Sequence, residues 1–112
     1  MGNDVLYIVM PAYNEEANIE KVVTQWYAII AKINGQGAAK SKLLIANDGS
    51  KDRTYEMMQR LTVGHPDFEP LDKPNSGHGA TVLYLYRKAI ESCAQESRYW
   101  KLQRRKGAYF FI

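Results

Sequence analysis

The sequence predicts an α/β domain in three layers, a parallel sheet sandwiched between helices, and two observations point to it. Short apolar runs rich in branched residues, at 5–10, 43–46 and more weakly 69–71, alternate three times with stretches whose apolar residues recur at helical spacing. Each run also ends in a polar, turn-forming loop. Crossovers between successive strands are right-handed and give parallel pairing, with the ligand crevice at the carboxyl ends of the strands.

Val5-Leu6-Tyr7-Ile8-Val9-Met10 is continuous rather than alternating, as expected of a strand covered on both faces, and Pro11 is expected to stop it. After the turn Ala12-Tyr13-Asn14, the residues Ile19, Val22, Val23, Trp26, Ile29, Ile30 and Ile33 form one helical stripe. Asn14 is expected to cap that helix and Asn34-Gly35 to end it. A polar connection leads to the second buried-type strand, Leu43-Leu44-Ile45-Ala46, which ends at Asn47-Asp48-Gly49-Ser50. The next helix takes Ser50 as its N-cap, Asp52 in its first turn and Tyr55, Met58, Leu61 and Thr62 as its inner face, and Gly64-His65-Pro66 ends it. Glu69-Pro70-Leu71 is a weak third strand. The loop from Lys73 to Gly79 follows, and from Ala80 onward Leu83, Tyr86, Arg87, Ile90 and Cys93 recur at helical spacing. Tyr109-Phe110-Phe111-Ile112 is again strand-like.

The 112 residues, 46% hydrophobic and 24% charged, describe one globular domain able to bury about 65% of its unfolded surface without disulfides. The single cysteine, Cys93, rules out an intramolecular disulfide or a thiolate metal cluster and fits a reducing, cytoplasmic setting. No apolar run approaches the ~20 residues that span a bilayer, and Met1 to Tyr7 lacks the basic start of a signal peptide, so no transmembrane segment is expected. The net charge of +3 is misleading, since Arg98, Lys101, Arg104, Arg105 and Lys106 leave ten bases against twelve acids elsewhere. A mildly acidic body argues against nucleic acid as a partner. The basic stretch reads as a solvated tail or, more sharply, as a contact for anionic lipid at the cytoplasmic membrane surface.

Three loops carry the chemistry. The first delivers Pro11, Ala12, Tyr13, Asn14, Glu15 and Glu16, where an aromatic ring, an amide and carboxylates suit a base and ribose, although Asn14 with nearby acids is also ordinary helix-start chemistry. The second places Asp48 at a strand end before a glycine, able to accept a base N–H or to make its own Asx turn. The third sets Gly77 and Gly79 ahead of a helix N-terminus, suited to a diphosphate or to a tight turn, with Lys73 available for added charge. His78 reads as a loop side chain rather than a metal ligand. A dinucleotide fingerprint is absent, since Pro11-Ala12-Tyr13-Asn14 stands where its glycines belong.

Together, Ile8-Val9-Met10-Pro11-Ala12-Tyr13-Asn14-Glu15-Glu16, Ala46-Asn47-Asp48-Gly49-Ser50-Lys51-Asp52-Arg53-Thr54 and Asn75-Ser76-Gly77-His78-Gly79-Ala80 resemble family 2 glycosyltransferases of the GT-A fold, above all the polyprenyl- or dolichyl-phosphate sugar synthase type. The resemblance covers about residues 5 to 92 and implies a Rossmann-like, nucleotide-binding half of that fold, with the parallel sheet incomplete. It implies an inverting hexosyltransferase acting on a nucleotide-activated sugar, with a polyprenyl phosphate as candidate acceptor. It assigns Pro11, Ala12, Tyr13, Glu15 and Asp48 to the nucleotide and puts Gly77 and Gly79 close to the same pocket. Residues 1–92 are then the nucleotide-sugar-binding region, and 93–112 a divergent basic tail ending in a fourth strand.

Similar enzymes hold Mg²⁺ or Mn²⁺ with an Asp-x-Asp motif after the next strand, and this sequence contains no Asp-x-Asp. It offers no metal ligands and no acceptor-side base, so no catalytic residue is assigned. The chain is expected to be a truncated N-terminal region, inactive by itself, with an exposed sheet edge that favours self-association. A non-catalytic nucleotide-binding domain or a degenerate remnant is the alternative. The residues leave uridine and guanosine diphosphates equally open as the nucleotide.

Overall fold

A computed structural model describes residues 5–35, 41–96 and 108–111 of the chain. The basic stretch from Arg98 to Lys106, Ile112 and the side chain of Cys93 lie outside the described residues. The order of elements is β1 (Val5–Ala12), α1 (Ile19–Asn34), β2 (Lys42–Asp48), α2 (Thr54–Leu61), β3 (Phe68–Lys73), α3 (His78–Glu96) and β4 (Ala108–Phe111). Among the described residues four strands form one sheet in the order β3-β2-β1-β4, every neighbouring pair parallel, as the alternating pattern predicts.

Both faces of the sheet are covered, which is why β1 and β2 read as unbroken apolar runs. Ile8, Leu43 and Ile45 pack with Ile19, Val23, Ile30 and Met58 of α1 and α2 on one side. Tyr7, Val9, Leu44 and Ala46 pack with Leu85 and Ala89 of α3 on the other. At the amino end of the sheet, Asn34 bonds the Ser41 backbone and the Asp67 carboxylate, while the Ser41 hydroxyl accepts the Leu6 N–H. That cluster ties the end of α1 to the starts of β2 and β3.

Five expectations change at this level. Pro11 does not stop β1, which runs to Ala12; the β1–β4 register ends at Ile8, so beyond it β1 has β2 as its described neighbour and a proline is tolerated at such an edge. Asn14 does not cap α1. The helix begins at Ile19, and Asn14 sits in the left-handed region at φ 53°. Ser50 does not cap α2, which starts at Thr54 with its first N–H bonded to the Asp52 carboxylate at 3.0 Å. The inner face of α3 is Thr81, Leu85 and Ala89, all fully buried, whereas Leu83 is 51% exposed. Leu83 and Leu85 lie about 200° apart around the helix, so only one of them can face the sheet. On α1, Ile29 likewise stays 42% exposed although it fits the stripe by spacing.

The burial pattern of α3 has a direct consequence. Leu85→Ala is expected to destabilise the fold by about 2–5 kcal/mol, the usual cost of emptying a core site, and Leu83→Ala by less than about 0.5 kcal/mol. Urea unfolding of the two variants checks this, and equal losses would refute the packing.

Candidate functional site

The site is assembled at the carboxyl end of the sheet from three loops. Those after β1 and β2 clasp each other first. The Asn14 N–H donates to the Ser50 hydroxyl at 2.8 Å, and the Lys51 N–H donates to the Asn14 side-chain carbonyl at 2.9 Å. The Glu15 N–H reaches the Thr54 hydroxyl at 2.8 Å, while the Glu16 and Arg53 N–H groups exchange bonds with the carboxylates of Asp52 and Glu16. Backbone donors of the loop that leads into α1 are therefore met by side chains of the segment that leads into α2, and the reverse. The Thr54 hydroxyl bond, its backbone N–H and burial acting the opposite way leave the Asp52 carboxyl below its usual range.

The third loop hangs on Asp48. Its carboxylate is 4% exposed at the end of β2 and accepts the N–H of Ser76 at 2.8 Å, the N–H of Gly77 at 3.0 Å and the ammonium of Lys73 at 3.1 Å. Burial pushes this carboxyl toward the neutral form, but the Ser76 N–H and the Lys73 ammonium outweigh it and hold it below the ordinary range. The buried Thr81 hydroxyl adds a weaker pull toward ionisation, and among the described residues it reaches no partner at good hydrogen-bond geometry.

The turn between them is just as constrained. The side-chain amide of Asn75 donates to the Asp48 carbonyl at 2.8 Å. Gly49 has φ +68°, and a Cβ there would lie 2.5 Å from the Asn75 nitrogen, so both conformation and space demand glycine. Gly77 has φ +95°, with open space around it.

The result is a cavity of about 400 Å³ lined by Pro11, Ala12, Tyr13, Glu15, Asp48, Asn75, Gly77 and His78. Six of the seven residues singled out in the sequence line it. Gly79, inside the first turn of α3, does not. Asn75 and His78 belong to the lining although only the glycines of their segment are assigned from the sequence. Their place in the same motif as Gly77 is the available signal. Tyr13 is 45% exposed at the rim, presenting a ring surface for stacking. Lys73 departs from its expected place beside a diphosphate: its ammonium bonds Asp48, the Pro74 carbonyl at 2.7 Å and the Ser76 hydroxyl. Two of the N–H groups just before α3 are likewise engaged by the protein's own carboxylate. Among the described residues no group of three His, Cys, Asp or Glu side chains is placed to hold a metal ion, and no helix is long and apolar enough to cross a membrane.

Comparison with known proteins agrees with the motifs. The family model of Glycosyl transferase family 2 matches residues 7–91. A UDP-N-acetylglucosamine–dolichyl-phosphate N-acetylglucosaminyltransferase of Methanococcus voltae is 38% identical over 61 residues, covering 54% of this chain and 21% of that enzyme. A dolichyl-phosphate beta-glucosyltransferase of Trichomonas vaginalis is 33% identical over 76 residues, covering 66% of this chain and 23% of that enzyme. An uncharacterized glycosyltransferase of Bacillus subtilis is 35% identical over 84 residues, covering 73% of this chain and 25% of that protein. The chain spans about a quarter of the length of the curated relatives it matches.

The lowered carboxyl of Asp48 fixes the sign of one pH effect. A carboxylate that titrates lower in the folded than in the unfolded chain stabilises the fold above its unfolded value, about 3.9, and that contribution fades as pH falls toward the folded value. Urea unfolding from pH 7 to pH 3 is therefore expected to lose stability more steeply for the parent than for Asp48→Asn, with the gap closing in the acid range. Parallel curves for the two proteins would contradict this.

Proposed function

The chain belongs to glycosyl transferase family 2, and from that premise we propose that it binds a nucleotide-activated sugar in the pocket between Tyr13 and Asp48. What carries the reading is the convergence of three sequence-distant loops on one cavity of about 400 Å³, within the range of small-molecule sites. The Tyr13 ring supplies a stacking face for the base. Asp48, a fixed acceptor at the pocket wall, takes a base N–H, which both a uridine and a guanosine nucleotide present. Pro11, Ala12 and Glu15 flank the ribose. Gly77 and Gly79 let the diphosphate approach the start of α3, where the remaining backbone N–H groups and the helix dipole favour an anion.

In this reading residues 1–92 form the nucleotide-sugar-binding region and 93–112 a divergent basic tail ending in a fourth strand, with residues 93–96 completing α3 and 108–111 forming β4. Transfer proceeds by direct displacement: an acceptor oxygen bonds to the anomeric carbon, the bond to the diphosphate breaks, and the anomeric configuration inverts. Two relatives are named for dolichyl phosphate, which supports a polyprenyl phosphate as acceptor and hence work at a membrane surface, proposed here to be the cytoplasmic one. Mg²⁺ or Mn²⁺, expected of such enzymes, finds no fitting ligand cluster among the described residues, so no step here runs through it. An ionised phosphate acceptor needs no base, so what the described residues lack is a ligand cluster for a cation to offset the charge on the departing diphosphate, and on that ground the 112-residue chain is proposed to be inactive in transfer by itself. Self-association is proposed through the β4 edge, since among the described residues the β3 edge carries Glu69, Pro70 and Asp72, which discourage strand addition.

Isothermal titration of UDP and GDP tests the binding claim. Asp48→Ala is expected to weaken the bound nucleotide by about 1–3 kcal/mol, the penalty for leaving a desolvated donor unmet. Equal affinity in parent and variant would reject the assignment. Gly79→Ala separates the role of that glycine: with open space and an ordinary φ it is expected to keep or slightly raise stability, by up to about 1 kcal/mol, while weakening nucleotide binding. Unchanged affinity would remove Gly79 from the site. Incubating the chain with labelled sugar nucleotide, Mn²⁺ and polyprenyl phosphate is expected to give no glycolipid above the protein-free control, and reproducible product would show the chain to be catalytic.

A further inference from the structure

Lys73 closes β3 directly beside Asp48, since the two residues are partners in the parallel register of β2 and β3. Its side chain is 11% exposed and that of Asp48 5% exposed, so the pair is almost withdrawn from solvent. The ammonium serves three acceptors, one Asp48 carboxylate oxygen, the Pro74 carbonyl and the Ser76 hydroxyl, and lies 5.8 Å from the centre of the Tyr84 ring. These contacts use its three N–H groups. One oxygen of Asp48 is thereby held toward Lys73 and the Ser76 N–H, and the other toward the Gly77 N–H at the pocket wall.

We propose that Lys73 is a positioning residue for the nucleotide pocket: it fixes the orientation of the Asp48 carboxylate and the path of residues 74–77, and it balances a negative charge that would otherwise stand beside a bound diphosphate. It touches no ligand itself and acts through Asp48 and the loop; this rests on the nucleotide reading given above. The physical case is that a nearly buried carboxylate with one donor removed becomes costly to hold in place. Without the ammonium, Pro74 and Ser76 also lose their tether. A surface lysine attracting phosphate by general charge would instead be exposed and unpaired.

Two readouts separate this proposal from the binding claim. In the free chain, amide exchange followed by NMR reports whether the loop is held. Lys73→Met, which keeps the aliphatic stem, is expected to speed exchange at Ser76 and Gly77 about tenfold relative to the core strands and to move the Asp48 carboxyl titration to higher pH. It is also expected to weaken UDP or GDP about tenfold, the effect of roughly 1.4 kcal/mol. Lys73→Arg, which keeps the charge, is expected to recover most of both losses, and Lys73→Gln serves if the methionine variant does not fold. Unchanged protection at Ser76 and Gly77, or an affinity equal to the parent's, would overturn the proposal. If the parent binds neither nucleotide, the functional reading fails, while amide exchange and the Asp48 titration still decide whether Lys73 holds the carboxylate and loop.

Discussion

A carboxylate removed from water must be met by donors, and the carboxyl end of the sheet is organised around meeting that demand at Asp48. β2 carries the residue into the sheet's carboxyl end, where it is 4% exposed. The donors all come from one segment some 25 to 29 residues later, as two backbone N–H groups and one ammonium. Their arrival fixes where the β3–α3 loop runs. The Asn75 amide on the Asp48 carbonyl and the close approach of Asn75 to Gly49 then leave that loop little freedom. The pocket is the space this arrangement leaves open on the Tyr13 side.

A second constraint acts across the sheet. The segments after β1 and β2 satisfy one another's loop backbone donors through Asn14, Ser50, Asp52 and Thr54. Several residues of the first two motifs thus lock the scaffold, while their neighbours Pro11, Ala12, Tyr13, Glu15 and Asp48 face the cavity. Bracing and cavity-lining residues are interleaved because both fall within the same few positions of each loop. Of the clefts that the described residues form at this end of the sheet, the one beside Tyr13 is the one that all three loops line.

The layered architecture was legible because strands buried on both faces read as continuous apolar runs and helices as stripes. Val5–Met10 and Leu43–Ala46 gave parallel neighbours directly. What stayed hidden depends on partners distant in sequence. Asn14 looks like a cap by its residue type, yet its bonds go to residues 36 and 37 positions away, which no local pattern reveals. Leu83 and Leu85 are the same residue type two positions apart, and only the sheet decides which is buried. Lys73 reads as a phosphate ligand in a glycine-rich loop, but the β2–β3 register places it against Asp48. The three ordered motifs named six residues that line one cavity, and Asn75 and His78 join them because the loop folds against β2.

The central claim is that a nucleotide seats across Tyr13 and Asp48, against the third loop. Amide chemical-shift mapping by NMR during titration with UDP and with GDP tests it most directly. The account predicts saturable shifts clustered at residues 12–15, 47–49 and 75–79, with the outer cleft between α1 and α2 around Ala17, Arg53 and Arg60 unaffected. Shifts centred on that outer cleft, or none with either nucleotide, would contradict it.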